Sequence, residues 1–193
     1  MTVWFTSDHH FGHENIIKFC DRPFSSVEEM DEEMIKRWNA VVKDTDTVYH
    51  LGDFTLFNGT AASRYFAQLN GMIKVLRNTW HHDKRWIPKH ADMASEYRSK
   101  TGSVVTFEPP IVVLEFPEYE NGSDKYSQAL VLCHYPLAVW DRKHYGSWHI
   151  HGHSHGQFLQ SGLCLDVGVD DHDFCPVPLR NVEHIMEGLK ELL

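Results

Sequence analysis

Residues 3–13 have the sequence VWFTSDHHFGH, a short apolar run that passes directly into a carboxylate, two imidazoles and a glycine. Val3–Ser7 is rich in β-branched and aromatic residues, which predicts a buried strand. Asp8 and His10 follow at the carboxyl end of that strand. Alternation along an extended chain would place both side chains on one side, where they suit a divalent metal. Asp-x-His alone is equally typical of a polar surface turn.

Runs of the same kind recur along the chain and predict further strands. They cover Thr47–Leu51, Met72–Leu76, Ile111–Phe116, Ala129–Cys133, Trp148–His151 and Leu163–Val169.

A helix is predicted between the first two strands. Residues 27–42 are apolar at helical spacing, and Ser26 and Glu29 form a capping box in front of them. Two more helices are predicted, over residues 61–69 and over residues 182–193 with Asn181 as the cap.

The order of these elements predicts an α/β fold with layers of helix and sheet. Strands and helices alternate in the first half, which favours a largely parallel sheet, whereas the shorter links between the later strands favour antiparallel pairing. The chain has 193 residues, a length that suits one domain over residues 1–193. Residues 84–103 are the least strand-like and predict a lid or a small helical insert.

The composition is that of a globular enzyme with an acidic surface. A formal net charge of −9 argues against stable nucleic-acid binding, which requires clustered Lys and Arg. No apolar run approaches the roughly 20 residues of a membrane span. The first residues have neither a basic nor an apolar leader segment, and the four cysteines lack CxxC spacing, so we expect a cytoplasmic location.

Histidine is the compositional outlier, at 15 of 193 residues, clustered at positions 8–13, 81–82 and 149–155. Residues with metal-ligand chemistry follow the ends of several predicted strands: Asp8 and His10, Asp53 after Gly52, Asn78 with His81, His82 and Asp83, then His134, and finally His153 and His155 in Gly-His-Ser-His-Gly spacing. A single satisfied core histidine is common, but this many coordinated placements indicate a metal site.

The order Asp-x-His, Gly-Asp, Asn with a following His-Asp, isolated His and Gly-His-x-His resembles the calcineurin-like metallophosphoesterase family, from Asp8 to Asp170. The opening residues 5–13 and the late residues 166–170 are similar to their counterparts in small bacterial and phage members. The resemblance implies a four-layer α-β-β-α sandwich of two mixed sheets flanked by helices, with a dinuclear metal site at the carboxyl ends of the strands.

The resemblance also implies how the ligands are divided. One metal would be held by Asp8, His10 and His155, the other by Asn78, His134 and His153, and Asp53 would bridge them. Mixed nitrogen and oxygen ligands suit two divalent ions of manganese, iron, zinc or nickel more than calcium, and we expect manganese.

One loop departs from the family pattern Gly-Asn-His-Asp. Arg77 stands in place of the glycine, and residues 79–81 intervene before His82 and Asp83. Asn78 is the expected ligand because of its distance from the start of its strand, and His81 is the alternative. With Asn78 as the ligand, His82 is the acid or phosphate-contacting histidine, and Asp83 orients it.

The implied activity is hydrolysis of a small phosphate ester by a two-metal-activated hydroxide. Candidate substrate contacts are Arg77, His81 and Tyr135. Aromatic residues at the proposed mouth, Trp80, Trp86, Tyr135, Trp140 and Trp148, are also candidates for stacking on a base, although aromatic residues at strand ends more often serve packing. A nucleotide or cyclic-nucleotide phosphodiester is therefore the first expectation. The alternatives are a phosphomonoesterase, a protein phosphatase on the same site, a nuclease for long nucleic acid and a noncatalytic binding module.

Overall fold

The structure is a computed structural model that describes residues 1–77, 82–88, 95–121, 124–158 and 161–192, with the side chains of residues 117–127 left aside. In chain order, the strands are β1 (Val3–Thr6), β2 (Thr47–His50), β3 (Met72–Leu76), β4 (Thr106–Glu108), β5 (Ile111–Asn121), β6 (Asp124–Cys133), β7 (Trp148–His151), β8 (Cys164–Asp166) and β9 (Val177–Pro178). The helices are α1 (Glu14–Phe19), α2 (Val27–Val41), α3 (Gly59–Phe66) and α4 (Leu179–Lys190). Within the described ranges, none of these helices has the combined length and apolarity of a membrane-spanning segment.

The strands form two mixed sheets, so the α/β fold class is confirmed. The first sheet has the order β4-β3-β2-β1-β9, in which β1 to β4 are parallel and β9 is antiparallel to β1. The predicted parallel arrangement of the first strands is therefore correct. Strand β4 is a three-residue edge and β9 a two-residue edge, and neither was predicted, because such short segments carry little periodic signal.

The second sheet has the order β5-β6-β7-β8. Strands β5 and β6 are an antiparallel hairpin, but β6, β7 and β8 run parallel to one another. The prediction of antiparallel pairing for the later strands is therefore wrong for β7 and β8. Residues 134–147 and 152–163 form connections long enough for a parallel crossover, which needs about a dozen residues.

Helix α2 begins where the capping box predicted. The hydroxyl of Ser26 accepts a hydrogen bond from the Glu29 N–H at 3.1 Å. The Glu29 carboxylate accepts from the N–H of Ser25, one residue earlier than a standard box would have it. The prediction of Asn181 as the cap of the last helix is wrong. Helix α4 starts three residues earlier than predicted, at Leu179, because Pro178 ends β9 in an extended conformation that leads straight into the first turn.

Successive side chains of each strand in the first sheet point to opposite faces of that sheet. Both faces are buried. On one face, Trp4 and Val48 belong to a core that includes α2 residues such as Trp38. On the other face, Phe5 and Tyr49 belong to a core that contains residues of both sheets and of α4. The two sheets thus share one apolar interior, and their loops meet at the carboxyl ends of β1, β2, β6 and β7.

Part of the proposed lid over residues 84–103 packs against the body of the protein. Trp86 and Ile87 are buried in the core that contains α2, and the N–H of Lys100 donates to the carbonyl of Leu69. Residues 89–94 lie outside the described ranges, so the lid itself stays a prediction.

Candidate metal centre

The candidate ligands lie on loops that follow strands, and backbone pairing continues into those loops. The Asp8 N–H donates to the Gly52 carbonyl at 3.0 Å, and the His10 N–H donates to the Asp53 carbonyl at 3.0 Å. In the second sheet, the Gly152 N–H donates to the His134 carbonyl at 3.0 Å. The first two hydrogen bonds hold the loop after β1 against the loop after β2. The third holds the loop after β7 against the loop after β6.

Among the described residues, four overlapping groups of potential ligands have ligand atoms within 4.8 Å of one another. Two of these groups are His10 with Asp53 and His82, and Cys20 with His155 and Asp170. The other two correspond to the expected metal sites. The first contains Asp8, His10 and His155. The second contains Asp53, His134 and His153.

Asp53 lies close to both groups. Its Oδ2 is 3.6 Å from Nε2 of His10 and 3.5 Å from Nε2 of His134. A single carboxylate oxygen is therefore near imidazoles of each group, which is the position that a bridging ligand requires. Asn78 lies outside the described residues, as does His81, so the structure does not decide between them.

The backbone of these residues is unusual. Five of the six candidate ligands that the structure describes have positive φ angles: Asp8 at 62°, His10 at 53°, Asp53 at 55°, His153 at 68° and His155 at 46°. Left-handed conformations in non-glycine residues cost about 1–3 kcal/mol each and concentrate at functional sites. The side chains thus converge because the backbone turns at each ligand. The strand alternation expected for Asp8 and His10 does not extend this far.

Two glycines allow this crowding. Gly52 has φ of 137°, and a Cβ there would lie 2.8 Å from Nδ1 of His134. A Cβ on Gly152 would collide with Ser7 and Asp8. The close backbone approach expected at Gly52 is therefore present, and it keeps space for an imidazole.

Burial and mutual charge perturb the ligands. Asp8 and His10 are almost completely buried. Burial raises the pKa of Asp8 to about 6 and lowers the pKa of His10 well below its usual range. Among the described residues, Oδ1 of Asp8 and both ring nitrogens of His10 have no hydrogen-bond partner. Because unpaired buried polar atoms are costly, these atoms fit a bound cation.

A partly buried ion pair lies behind the His155 ring. Nδ1 of His155 lies 2.6 Å from Oδ2 of Asp170, and the hydrogen bond to Asp170 raises the pKa of His155 to about 10 although burial opposes this shift. Asp170 also accepts from Nε and Nη2 of Arg22 at 2.7 and 2.9 Å. The same guanidinium donates to the carbonyls of Asp8 and His9. Arg22 thereby connects two ligands of the first group.

Neither Arg22 nor Asp170 was predicted as a site residue. Asp170 follows a predicted strand and ends the 166–170 segment that resembles the family, so a strand-end carboxylate was an available signal. Arg22 lies in a loop between α1 and α2, and no sequence pattern indicated that it is buried.

His82 lies beside the ligand groups, and Asp83 lies beneath them. Nε2 of His82 is 4.0 Å from Oδ2 of Asp53, and its ring centroid is 5.0 Å from that of His10. Asp83 is fully buried and accepts hydrogen bonds from the N–H groups of Phe54 and Thr55 and from the Trp86 indole. Asp83 thus holds the loop that carries Asp53, whereas the expected pairing with His82 stays a prediction.

The candidate substrate contacts occupy different places. The Tyr135 ring lies edge-on to both His134 and His153, with centroids 4.9 and 4.7 Å apart. Arg77 follows β3, and its N–H donates to the Glu108 carbonyl on β4.

The tryptophans expected at the mouth serve packing. Trp86, Trp140 and Trp148 are at most 6% exposed and lie in hydrophobic clusters. For these three residues the packing alternative is therefore correct and the stacking alternative is wrong, because their rings fill the interior. Trp80 lies outside the described residues.

A cavity of about 360 Å³ opens over the ligands. Its lining includes His10, Asp53, His82, His153 and His155 on one side and residues of α1 on the other. A group held by the ligands is therefore reachable from solvent, as a site for a small substrate requires.

Comparisons with known proteins show what the chain is similar to. An uncharacterized protein of Methanocaldococcus jannaschii is 32% identical over 194 aligned residues, which cover 96% of this chain and 91% of that protein. The gene 66 protein of Mycobacterium phage D29 is 25% identical over 211 aligned residues, covering 98% of each chain. The crystal structure of a protein of unknown function from Aquifex aeolicus matches with a TM-score of 0.59 at 21% identity over 95% of this chain and 98% of that chain, which shows a shared fold.

No family model matches the chain. The identity to the Methanocaldococcus jannaschii protein and the nearly complete coverage of both chains are sufficient to establish common descent. The chain belongs to the same family as that archaeal protein.

Proposed function

We propose that this protein is a calcineurin-like metallophosphoesterase with a dinuclear metal site in a four-layer α-β-β-α sandwich. The observation that carries the proposal is the position of Asp53, whose Oδ2 lies within 3.6 Å of an imidazole nitrogen from each of two separate ligand groups. A protein that needed only one metal, or none, has no evident reason to bury two such groups around one carboxylate.

The described donors fit the proposed metals. The first cation would be held by Asp8, His10 and His155, and the second by His134 and His153 together with a residue of the 78–81 loop. When bound, a pair of divalent cations neutralises phosphoryl charge and lowers the pKa of a water molecule. The imidazole and carboxylate donors favour manganese, iron, zinc or nickel over calcium.

The remaining chemistry belongs to His82. It is partly exposed, lines the cavity and lies 4.0 Å from Asp53, so it can reach a substrate oxygen without itself being buried among the ligands. In this position the imidazole would donate a proton to the leaving oxygen or hydrogen-bond a phosphoryl oxygen. Asp83 contributes indirectly, because it holds the N–H groups that follow Asp53.

The substrate class we propose is a small phosphodiester, with a nucleotide or cyclic nucleotide favoured. The cavity of about 360 Å³ is near the lower end of the size range of ligand pockets, which excludes a folded protein segment from its interior. The net charge of −9 disfavours long nucleic acid, since the protein surface would repel most of the polymer.

The test is hydrolysis of a panel of esters by the purified chain. The panel contains an aryl monoester, an aryl diester and 2′,3′-cyclic nucleotides, each with manganese, nickel, zinc or magnesium. We expect the diesters to be hydrolysed fastest and manganese to be the best metal. Turnover of the monoester alone would favour a phosphomonoesterase.

The Asp53→Asn variant separates this proposal from a noncatalytic binding module. Metal analysis of the variant should show loss of bound metal together with loss of activity, since the substitution removes the charge shared by both groups. Full occupancy with full activity in this variant would refute a bridging role for Asp53.

A further inference from the structure

The first helix and its flanks contribute part of the cavity lining. Ile16, Phe19 and Cys20 belong to this part, together with His13 at the start of α1 and Gln157 from the loop after β7. We call this part of the cavity, defined by these five residues, the α1 pocket. It is continuous with the space over His10 and His155, so one ligand can occupy both.

The α1 pocket exposes an aromatic ring. Phe19 is 70% exposed, whereas Ile16 from the same helix is buried. The rings of Phe19 and His13 are nearly perpendicular, with centroids 6.3 Å apart and an interplanar angle of 73°. Two such rings form an angular corner, with one face available for stacking and one edge available for contact.

The surroundings suggest what would fill this corner. On the ligand side, imidazoles and carboxylates form a site for a phosphate-bearing group, as proposed above. On the α1 side, the exposed ring of Phe19 offers apolar surface, and the Gln157 amide offers one donor and one acceptor group. A ligand that matches both sides carries a phosphate at one end and a flat, partly polar ring at the other.

We propose that the α1 pocket binds the base of a nucleotide, stacked on Phe19, while the phosphate of that nucleotide lies at the metal centre. The inference rests on the proposed function for the phosphate end. It adds the place where the base binds and a residue that determines specificity. Phe19 takes the role that the buried Trp86, Trp140 and Trp148 cannot fulfil.

The experiment compares two ligands that differ only in the part that would enter the α1 pocket. Calorimetric titration of the manganese-loaded full chain measures the affinity for adenosine 5′-monophosphate and for inorganic phosphate. Stacking on an aromatic side chain predicts that the nucleotide binds about 5- to 150-fold more tightly than phosphate. Phe19→Ala should remove most of this ratio while leaving the affinity for phosphate unchanged.

Two further variants complete the test. Tyr145→Ala removes another exposed aromatic side chain, 80% exposed and outside the cavity lining, and should keep the wild-type ratio. Phe19→Trp should keep or increase the ratio of nucleotide affinity to phosphate affinity. This variant provides the test if Phe19→Ala loses helix α1 and, with it, the affinity for phosphate.

The inference is overturned if the wild-type chain binds the nucleotide no more tightly than phosphate, or if both Phe19 variants keep an unchanged ratio. Failure of the proposed function gives a different result: nucleotide binding that depends on Phe19, without hydrolysis of any ester in the panel. The reverse result, hydrolysis without a Phe19-dependent preference for the nucleotide, refutes the α1 pocket alone.

Discussion

His155 is the candidate ligand with the most charged support, and its role depends on two residues outside the ligand groups. Asp170 accepts the hydrogen bond of its Nδ1, and Arg22 holds Asp170 through two nitrogens. We expect Asp170→Asn to weaken metal binding about 10- to 100-fold, the usual effect of losing a partner behind a ligating imidazole. Arg22→Lys should act in the same direction, because an ammonium cannot replace the bidentate contact and the two carbonyl contacts at once.

Isothermal titration with manganese measures this effect without reference to turnover. Asp173→Asn is the matched control, an exposed aspartate three residues away whose affinity should equal that of the wild type. Equal affinities of the Asp170 and Asp173 variants would show that His155 does not need its carboxylate partner.

The role of His82 is separable from that of the ligands. We expect His82→Ala to retain both metals and to lose about 10²- to 10⁴-fold in turnover, as for a general acid. The loss should be largest for substrates with high-pKa leaving groups, because an activated aryl leaving group needs no proton. Steady-state rates and metal content are the measurements, with the exposed His184→Ala as control. A uniform loss across leaving groups would contradict the acid role.

We expect Asn78, with His81 as the alternative, to supply the last ligand of the second metal. We expect Asn78→Ala to lower metal affinity and to be partly rescued by excess metal, and His81→Ala to leave metal binding intact. Metal content after dialysis distinguishes the two variants. Loss of one metal in His81→Ala, with Asn78→Ala still saturated, would assign the ligand to His81.

At the level of elements, Asp46 holds the start of β1 against the start of β2. Its carboxylate accepts hydrogen bonds from Thr2 N–H at 2.7 Å, Lys43 N–H at 3.0 Å and the Trp4 indole at 3.1 Å. Removing it leaves three donors without that acceptor. We expect Asp46→Ala to lower the free energy of unfolding by about 1–3 kcal/mol at pH 7. Urea unfolding, with the exposed Asp44→Ala as control, measures the difference.

The effect of Asp46 depends on pH in a defined direction. Burial disfavours the charged form, but the hydrogen bonds from Lys43, Thr2 and Trp4 outweigh it, so the pKa of Asp46 lies below its usual value. A group with a lowered folded-state pKa stabilises the fold fully above the unfolded value of about 3.9, and the stabilisation disappears as the pH falls through the folded value. The difference in free energy of unfolding between the wild type and Asp46→Ala should therefore be constant from pH 7 to about 5. It should become smaller in stronger acid. A difference in free energy of unfolding that increased in acid would contradict this account.

For the whole molecule, the metal centre should contribute to stability as well as to chemistry. Both sheets supply candidate ligands, so a bound cation would link the loops after β1 and β2 to those after β6 and β7. At a free metal concentration about 100 times the dissociation constant, binding adds about 2.7 kcal/mol, or about 5–10 °C in Tm for a chain of this size. Thermal unfolding with manganese or with a chelator measures the shift.

Two comparisons make that measurement specific. Calcium, which prefers oxygen ligands, should give a smaller shift than manganese at the same concentration. The Asp53→Asn variant should show little shift with either ion. An equal shift in the variant and the wild type would mean that the stabilising ion binds elsewhere.

The sequence by itself determined the features that depend on local pattern. The spacing of apolar residues in 27–42 and the Ser26 cap located helix α2, and short β-branched runs located β1, β2 and β3, because helix and strand periods are properties of neighbouring residues. It also provided the list of strand-end residues with metal-ligand chemistry, since the carboxyl ends of parallel strands meet at one edge of a sheet.

Spacing alone gave only that list: the family resemblance implied a division of the ligands, and only the tertiary structure decided which of the described residues meet and how. His153 and His155 are two positions apart in sequence but lie in different ligand groups, because left-handed backbone at both turns their rings apart. Arg22 and Asp170 are distant in sequence and form a partly buried ion pair, and no local pattern reports such a contact. The exposure of aromatic residues is also decided by the tertiary structure, because it depends on how sheets and helices pack. Composition and spacing do not specify that packing, which buries Trp86, Trp140 and Trp148 and leaves Phe19 exposed.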